Sequence, residues 1–315
     1  MKQLIVVIAL TLGFSPVVVA DGHADEQKAI LVTGASTGIG RNIAETLAAE
    51  GYFVYAGARK QEDLDALNAI DNIMAVRLDV TVQEEIDAAV ETIRAEGRGL
   101  YGLVNNAGVA TFGPLTQTPD SDLHFVFNVN VAGVLRTTRA FAPMILESQG
   151  RIVTTGSISG TLSSPMGGVY SMSKHAVEAF TDSLAGELGP QGVHVAVVEP
   201  GNYRSRIRET TVNRISANME AAGIAVPEEQ QQQMDAIVAA EQTMNEPDDV
   251  SAAVMHALFS DAPQRRYMVV PVQGEAEITI RKKIEELVQL NGDHQFSYSR
   301  DELVQMLDEA LAPAE

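Results

Sequence analysis

Short apolar runs alternate along the chain with stretches in which apolar residues recur every three to four positions. Ala29-Ile30-Leu31-Val32 is one such run, and Ile39, Ile43, Ala44 and Leu47 then repeat at helical spacing as far as Gly51. A short run of branched aliphatic residues predicts a buried strand, and the longer period predicts an amphipathic helix. The paired signal returns with strand candidates at 53–56, 74–78, 102–104, 151–154, 193–198 and 267–270, and helical stretches at 62–69 and 82–96. Strands that alternate with helices imply βαβ crossovers and a parallel sheet covered on both faces. The predicted architecture is α/β, a doubly wound parallel sheet in a three-layer αβα sandwich. No linker-like composition interrupts residues 28–272, which read as one domain, and residues 273–315 read as a helical C-terminal extension with helices near 280–290 and 301–311.

The first residues follow a different pattern. Lys2 precedes an apolar run over residues 4–14, Ser15-Pro16 interrupts it, and Val18-Val19-Ala20 sets small residues before Asp21. That layout predicts a secretory signal over residues 1–20 with cleavage after Ala20, hence a periplasmic or secreted protein. An uncleaved membrane anchor and a cytoplasmic protein whose start was assigned too early are the alternatives.

Composition narrows the partners. The chain has 315 residues, 45% of them hydrophobic, and carries 42 acidic against 22 basic residues for a formal charge of −20. Such a surface repels polyphosphate, so no nucleic-acid partner is expected. Residues 209–315 account for −13 of that charge. With no cysteine, disulfides and cysteine nucleophiles are excluded, and the six scattered histidines offer no metal-ligand spacing.

Candidate chemistry begins where the first strand ends. Thr33-Gly34-Ala35-Ser36-Thr37-Gly38-Ile39-Gly40 follows a strand and opens a helix. Glycines there permit a tight turn and let the backbone approach a pyrophosphate at the positive end of the helix, a variant of the dinucleotide-binding fingerprint. At the end of the second strand, where an acid would hold the ribose 2′-hydroxyl of NAD, the chain reads Gly57-Ala58-Arg59-Lys60. Cations at that point suit a 2′-phosphate, so NADP(H) is preferred, with NAD(H) as the alternative. Arg59 and Lys60 also fit a reading as two solvated bases neutralised by Glu62 and Asp63. Asp79, after the third strand, suits an adenine amino group or a helix cap.

Tyr170 and Lys174 lie four apart in a helical stretch, which puts an ammonium beside a phenol. An ordinary phenol titrates near 10, too high for acid–base work at neutral pH, and a neighbouring ammonium is expected to lower it. Ser157 follows the fifth strand, at the rim where ligands bind in open α/β sheets.

Taken in order, Thr33 to Gly40, Asn105-Asn106-Ala107-Gly108, Asn130-Val131-Ala132-Gly133, Ser157, Tyr170 with Lys174, and Pro200-Gly201 resemble the short-chain dehydrogenase/reductase family over residues 28–272. Gly156-Ser157-Ile158-Ser159-Gly160 and the extended C-terminal part are most similar to its retinol and 17β-hydroxysteroid dehydrogenase branch. The resemblance implies a Rossmann fold and a hydride exchanged between a nicotinamide cofactor and an alcohol or carbonyl. It implies Tyr170 as the proton donor and acceptor, Ser157 as the group orienting the substrate oxygen, Lys174 on the cofactor ribose, and Asn130 anchoring a relay water. It also implies Asn106 and Gly108 beside the adenosine ribose, Pro200 and Gly201 beneath the nicotinamide, and a homodimer or homotetramer. A non-catalytic dinucleotide sensor is the reading from a different class; an intact Asn130, Ser157, Tyr170 and Lys174 set disfavours it.

Residues 202–245 follow the last motif and are expected to cover the substrate, with Tyr203, Ile207, Ile215, Met219, Ile224, Val226, Met234, Ile237 and Met244 suited to an apolar ligand. Together with the acidic C-terminal third, they predict a hydrophobic alcohol or carbonyl rather than an anionic substrate. For the leader, mass spectrometry of the mature chain is expected to find Asp21 first. A first residue near position 19 with formyl-Met processing overturns export.

Overall fold

The computed structural model describes residues 27–312 except Ala222. The signal expected over residues 1–20 lies outside them. The elements run β1 (Ala29–Val32), α1 (Gly38–Ala49), β2 (Phe53–Ala58), α2 (Gln61–Asn68), β3 (Ile73–Arg77), α3 (Gln83–Glu96), β4 (Gly102–Asn105), α4 (Asp120–Phe127), α5 (Val134–Glu147), β5 (Arg151–Thr155), α6 (Gly168–Leu188), β6 (His194–Pro200), α7 (Ile207–Ala221), α8 (Glu228–Gln242), α9 (Asp248–Phe259), β7 (Arg266–Val269), α10 (Gln273–Leu290) and α11 (Arg300–Leu311). A π-helical turn, Asn128–Gly133, joins α4 to α5.

The strands form one parallel sheet in the order β3-β2-β1-β4-β5-β6-β7. This is the doubly wound Rossmann arrangement, in which the chain winds outward from β1 to β3 and then returns to β4 on the other side. The reversal opens a crevice at the carboxyl ends of β1 and β4, where the next connections diverge to opposite faces. Alternation along each strand divides the core. Ile30 and Val32 face one layer with Ile43, Leu47, Val254 and Leu258, while Ala29 and Leu31 face the other with Leu103, Ile86, Phe141 and Ile145. Each Ile, Leu and Val among these is wholly removed from water, a gain of roughly 1.5–3 kcal/mol apiece before conformational entropy is counted. Both faces are therefore satisfied by helices.

The sixth strand runs two residues past its predicted end. Pro200 is tolerated there as the last residue of the strand, opposite Val269. Among the described residues no helix is long and apolar enough to cross a membrane.

At the β7 edge a charged cluster is packed under the sheet end. Arg266 donates from Nε to Glu178 Oε2 at 2.9 Å and from a terminal nitrogen to Asp182 at 2.8 Å, and Nε lies 3.8 Å from Glu199 Oε1. Glu199 is 6% exposed. Its carboxyl is pushed up to about 7 by burial and by the Glu178 charge beside it, against the pull of Arg266 and Lys283. Glu178 Oε1 is buried with no donor, and a proton on Glu199 supplies one. Two carboxyls in contact in a poorly hydrated site do not both ionise.

Because the folded state holds this proton more tightly than the unfolded chain, the pair's contribution to stability is full below pH 4.5 and is lost as pH rises through about 7. Glu199→Gln keeps the hydrogen bond without the ionisation. Its melting temperature relative to wild type is therefore expected to be higher at pH 8 than at pH 5, measured by thermal denaturation. An equal difference at both values overturns the shared proton.

Candidate active site

The turn after β1 fits a phosphate because of what it excludes. Gly34 has φ +65°, and a Cβ there would stand 2.8 Å from Ala107 Cα. A Cβ on Gly40 would strike Gly34 O and Asn106 Nδ2. Only hydrogen fits at either position, so the start of α1 lies tight against the ends of β1 and β4. The side chain of its N-cap residue, Thr37, makes no capping hydrogen bond. The free N–H groups of that first turn are therefore available to an anion.

Asn106 holds the neighbouring strand ends in place. Its backbone N–H donates to Thr33 Oγ1 at 3.0 Å, its Nδ2 donates to Thr33 O and Gly34 O at 3.1 and 3.2 Å, and its Oδ1 accepts from Thr155 Oγ1 at 3.2 Å. Asn105 points the other way and donates to Thr138 Oγ1 at 2.9 Å.

Gly34, Ser36, Thr37, Gly38, Ile39, Gly40, Arg59, Asp79, Asn106, Gly108, Ser157, Tyr170, Lys174, Pro200 and Gly201 all line one cleft of about 870 Å³. Asn130, also predicted, does not line it. Its side chain is 1% exposed, with Oδ1 accepting from Val109 N at 2.8 Å and Nδ2 donating to Val109 O and Ser173 Oγ at 2.9 and 3.0 Å. Every polar atom of that amide is engaged in the protein, in the π-helical turn behind the cleft wall.

At the far end of β2, Arg59 is largely exposed and reaches Asp79 Oδ2 at 3.5 Å, while Lys60 reaches Glu62 at 3.3 Å. Asp79 is not the N-cap of α3, which is Val82; it accepts instead from the N–H and hydroxyl of Thr81 at 2.9 and 2.7 Å. Burial works to raise its pKa, but those two hydrogen bonds and the Arg59 charge outweigh it and hold the carboxyl below its usual range.

Ser157, Tyr170 and Lys174 meet on one wall. Ser157 Oγ accepts from Ser159 N at 3.1 Å and stands 3.5 Å from Pro200 O. Lys174 Nζ donates to Thr155 O at 2.8 Å and lies 5.6 Å from the centre of the Tyr170 ring.

The charge states differ from the sequence expectation that Lys174 lowers the Tyr170 pKa. Burial pushes the phenol up to about 12, with only the Ser157 hydrogen bond opposing it. Burial also pushes Lys174 down to about 8 against the attraction of Glu178. The physical cause is that the ammonium turns to the Thr155 carbonyl, so desolvation outweighs any charge effect on the phenol.

The covering segment is only partly as expected. Of its predicted apolar residues Tyr203, Ile207 and Met244 line the cleft, whereas Met234 is buried and Ile224 and Ile237 are exposed. Phe112, Phe125, Leu162 and Ile278 supply further apolar surface that no motif marked. Arg214 stacks its guanidinium 3.8 Å over Phe125 and pairs with Asp122 at 3.0 Å. Arg208, also on the cleft, donates to the neutral Asn202 Oδ1 at 2.8 Å. From α10, Glu275 accepts from the backbone N–H and Nδ2 of Asn202 at 3.1 and 2.7 Å, and so fixes the turn after Gly201.

Residues 28–216 match the family model described as short chain dehydrogenase. The chain is 34% identical over 269 residues to the mitochondrial D-beta-hydroxybutyrate dehydrogenase of Rattus norvegicus, covering 79% of this chain and 78% of that one. It is 32% identical over 256 residues to retinol dehydrogenase 7 of Mus musculus, covering 77% and 80%. Among solved structures, a short chain dehydrogenase/reductase from Burkholderia phymatum in complex with NAD superposes with a TM-score of 0.72 at 26% identity, covering 87% of this chain and 99% of that one. A short chain dehydrogenase from Burkholderia cenocepacia in complex with NADP gives 0.63 at 26% identity, covering 84% and 96%. The glycine turn, the strand order and these likenesses agree, and the chain belongs to the short-chain dehydrogenase family of oxidoreductases.

Proposed function

We propose that the protein interconverts a hydrophobic secondary alcohol and its ketone, or an aldehyde and its alcohol, with NADP(H) preferred over NAD(H). The observation that carries this reading is the meeting of Ser157, Tyr170 and Lys174 on one wall of the cleft whose opposite end is the glycine turn. A nicotinamide cofactor, when bound, supplies or accepts the hydride. The chain's own residues handle the oxygen and its proton. Ser157 Oγ hydrogen-bonds the substrate oxygen and orients it toward the Tyr170 hydroxyl. The phenol is held protonated, the state required to donate to a developing alkoxide, and takes the proton back in oxidation. Lys174 Nζ, within reach of the ribose side of the cleft, keeps a positive charge beside the reacting groups at neutral pH. Asn130, whose side-chain amide braces the Val109 backbone, is the residue assigned to anchor the relay water.

Preference for NADP(H) rests on Arg59 and Lys60 at the end of β2, the position where NAD-binding chains of this fold carry an acid and this chain does not. The 3.5 Å contact of Arg59 with Asp79 is long and solvent-facing, so a 2′-phosphate can take the guanidinium over. A second reading of the substrate follows from Arg208, whose partner is neutral: a short hydroxy acid whose carboxylate binds there. Turnover of a panel of apolar alcohols, ketones and hydroxy acids with both cofactors separates the two.

Tyr170→Phe is expected to bind NADPH as wild type does while kcat falls by about 10²–10⁴-fold, the usual worth of a general acid. Wild-type turnover in that variant overturns the role. Arg59→Ala is expected to raise the KM for NADPH by about tenfold or more and leave that for NADH unchanged, as the loss of one charged hydrogen bond predicts. Equal effects on both cofactors, read by steady-state kinetics, overturn the preference.

A further inference from the structure

Glu178 lies one turn beyond Lys174 on α6, so the two side chains share a face of that helix. Both reach the same peptide at the end of β5. Lys174 Nζ donates to Thr155 O at 2.8 Å, and Glu178 Oε1 stands 3.3 Å from where a Cβ on Gly156 would be. The same oxygen would stand 3.0 Å from a Cβ on Gly160, at the other end of the short turn that carries Ser157. Two residues without a Cβ therefore let the Ser157 turn settle directly on this carboxyl group.

The carboxyl group is fixed from behind. Its Oε2 accepts from Arg266 Nε at 2.9 Å, which favours the ionised form against burial, and its Oε1 is buried on the side of the Ser157 turn. The charged groups that face it are Lys174 and Asp182 on its own helix, Glu199 on β6, Arg266 on β7 and Lys283 on α10. Arg266 also donates to Asp182 at 2.8 Å and lies 3.8 Å from Glu199, so its single charge is divided among three carboxyl groups.

Lys174 has fewer neighbours. It is 5% exposed, and Glu178 is the acid whose attraction reaches it. An ammonium in a dry site reverts to the neutral amine unless a negative charge offsets the water it has lost. Given the role proposed for Lys174, we infer that Glu178 is a positioning residue for the reaction: its carboxylate, braced by Arg266, is the counter-charge that keeps Lys174 an ammonium at the peptide beneath Ser157.

The pH dependence of kcat/KM for NADPH tests this, together with the pH dependence of NADPH affinity read by fluorescence titration without turnover. In wild type both are expected to fall as pH rises through about 8, where Lys174 gives up its proton. Glu178→Gln and Glu178→Met each remove the charge at similar side-chain length. Lys174 then holds its proton less tightly, and the fall is expected about one pH unit lower. Glu178→Asp keeps a carboxylate and is expected to restore the fall toward its wild-type position, while Glu199→Gln leaves it in place. A purely structural role for Glu178 lowers both quantities at every pH and shifts nothing. A fall that stays at the wild-type pH in both uncharged variants overturns the inference, as does an equal shift in Glu199→Gln. A wild-type profile that does not fall through pH 8 overturns the cationic role of Lys174 and this inference with it.

Discussion

Asn106 ties together the ends of three parallel strands, and the geometry of the cleft depends on that tie. One side chain and its own N–H reach Thr33 and Gly34 at the end of β1 and Thr155 at the end of β5. Main-chain hydrogen bonding in the sheet sets the strands side by side, but it does not fix how the loops leave them. Asn106 does so by satisfying carbonyls that the ladder leaves open. The glycine turn can then approach Ala107 as closely as it does only because Gly34 and Gly40 carry no Cβ. The glycine turn and the Ser157–Tyr170–Lys174 wall of the cleft are thus held by one half-buried polar junction.

From that junction the chemistry follows by exclusion of water. Tyr170, Lys174 and Glu199 are all shifted toward their neutral forms by burial, and the charges nearby modify the shift without reversing it. The same dry environment makes the placement of each hydrogen bond decisive. Ser159 N donates to the Ser157 hydroxyl, Thr155 O takes the ammonium, and Glu178, one helical turn beyond Lys174, raises the already desolvated carboxyl of Glu199 further. β7 and α10 enter the site indirectly. Arg266 neutralises the carboxyl cluster, and Glu275 pins the turn that follows Gly201.

The fold and most of the cleft were legible in the sequence because their signals are local. Branched aliphatic runs specify buried strands, helical spacing specifies the covering layers, and glycines before a helix mark a backbone that must come close to something. The spacing of Tyr170 and Lys174 is likewise a property of one helix. Asn130 was legible as an important amide, but its partners Val109 and Ser173 were not, since they lie 21 and 43 residues away in the chain. The apolar residues of the covering segment read alike in sequence, yet Met234 is buried while Ile224 is exposed. α7 and α8 are only weakly amphipathic, so their pattern did not say which side meets the cleft.

What the sequence determined by itself was the alternation of strand and helix, the placing of the glycine turn and Ser157 after strand ends and of Tyr170 and Lys174 one turn apart on a helix, and the excess of acid in the last third. Each is carried by neighbours within one or two turns of chain. Only the tertiary structure decided that burial raises the Tyr170 and Glu199 pKa values, that Ile278 and Glu275 reach the cleft, and that Val304, Leu307 and Leu311 of α11 stay exposed. These depend on burial and on residues far apart in the chain, and burial is a property of the whole fold that no local pattern encodes.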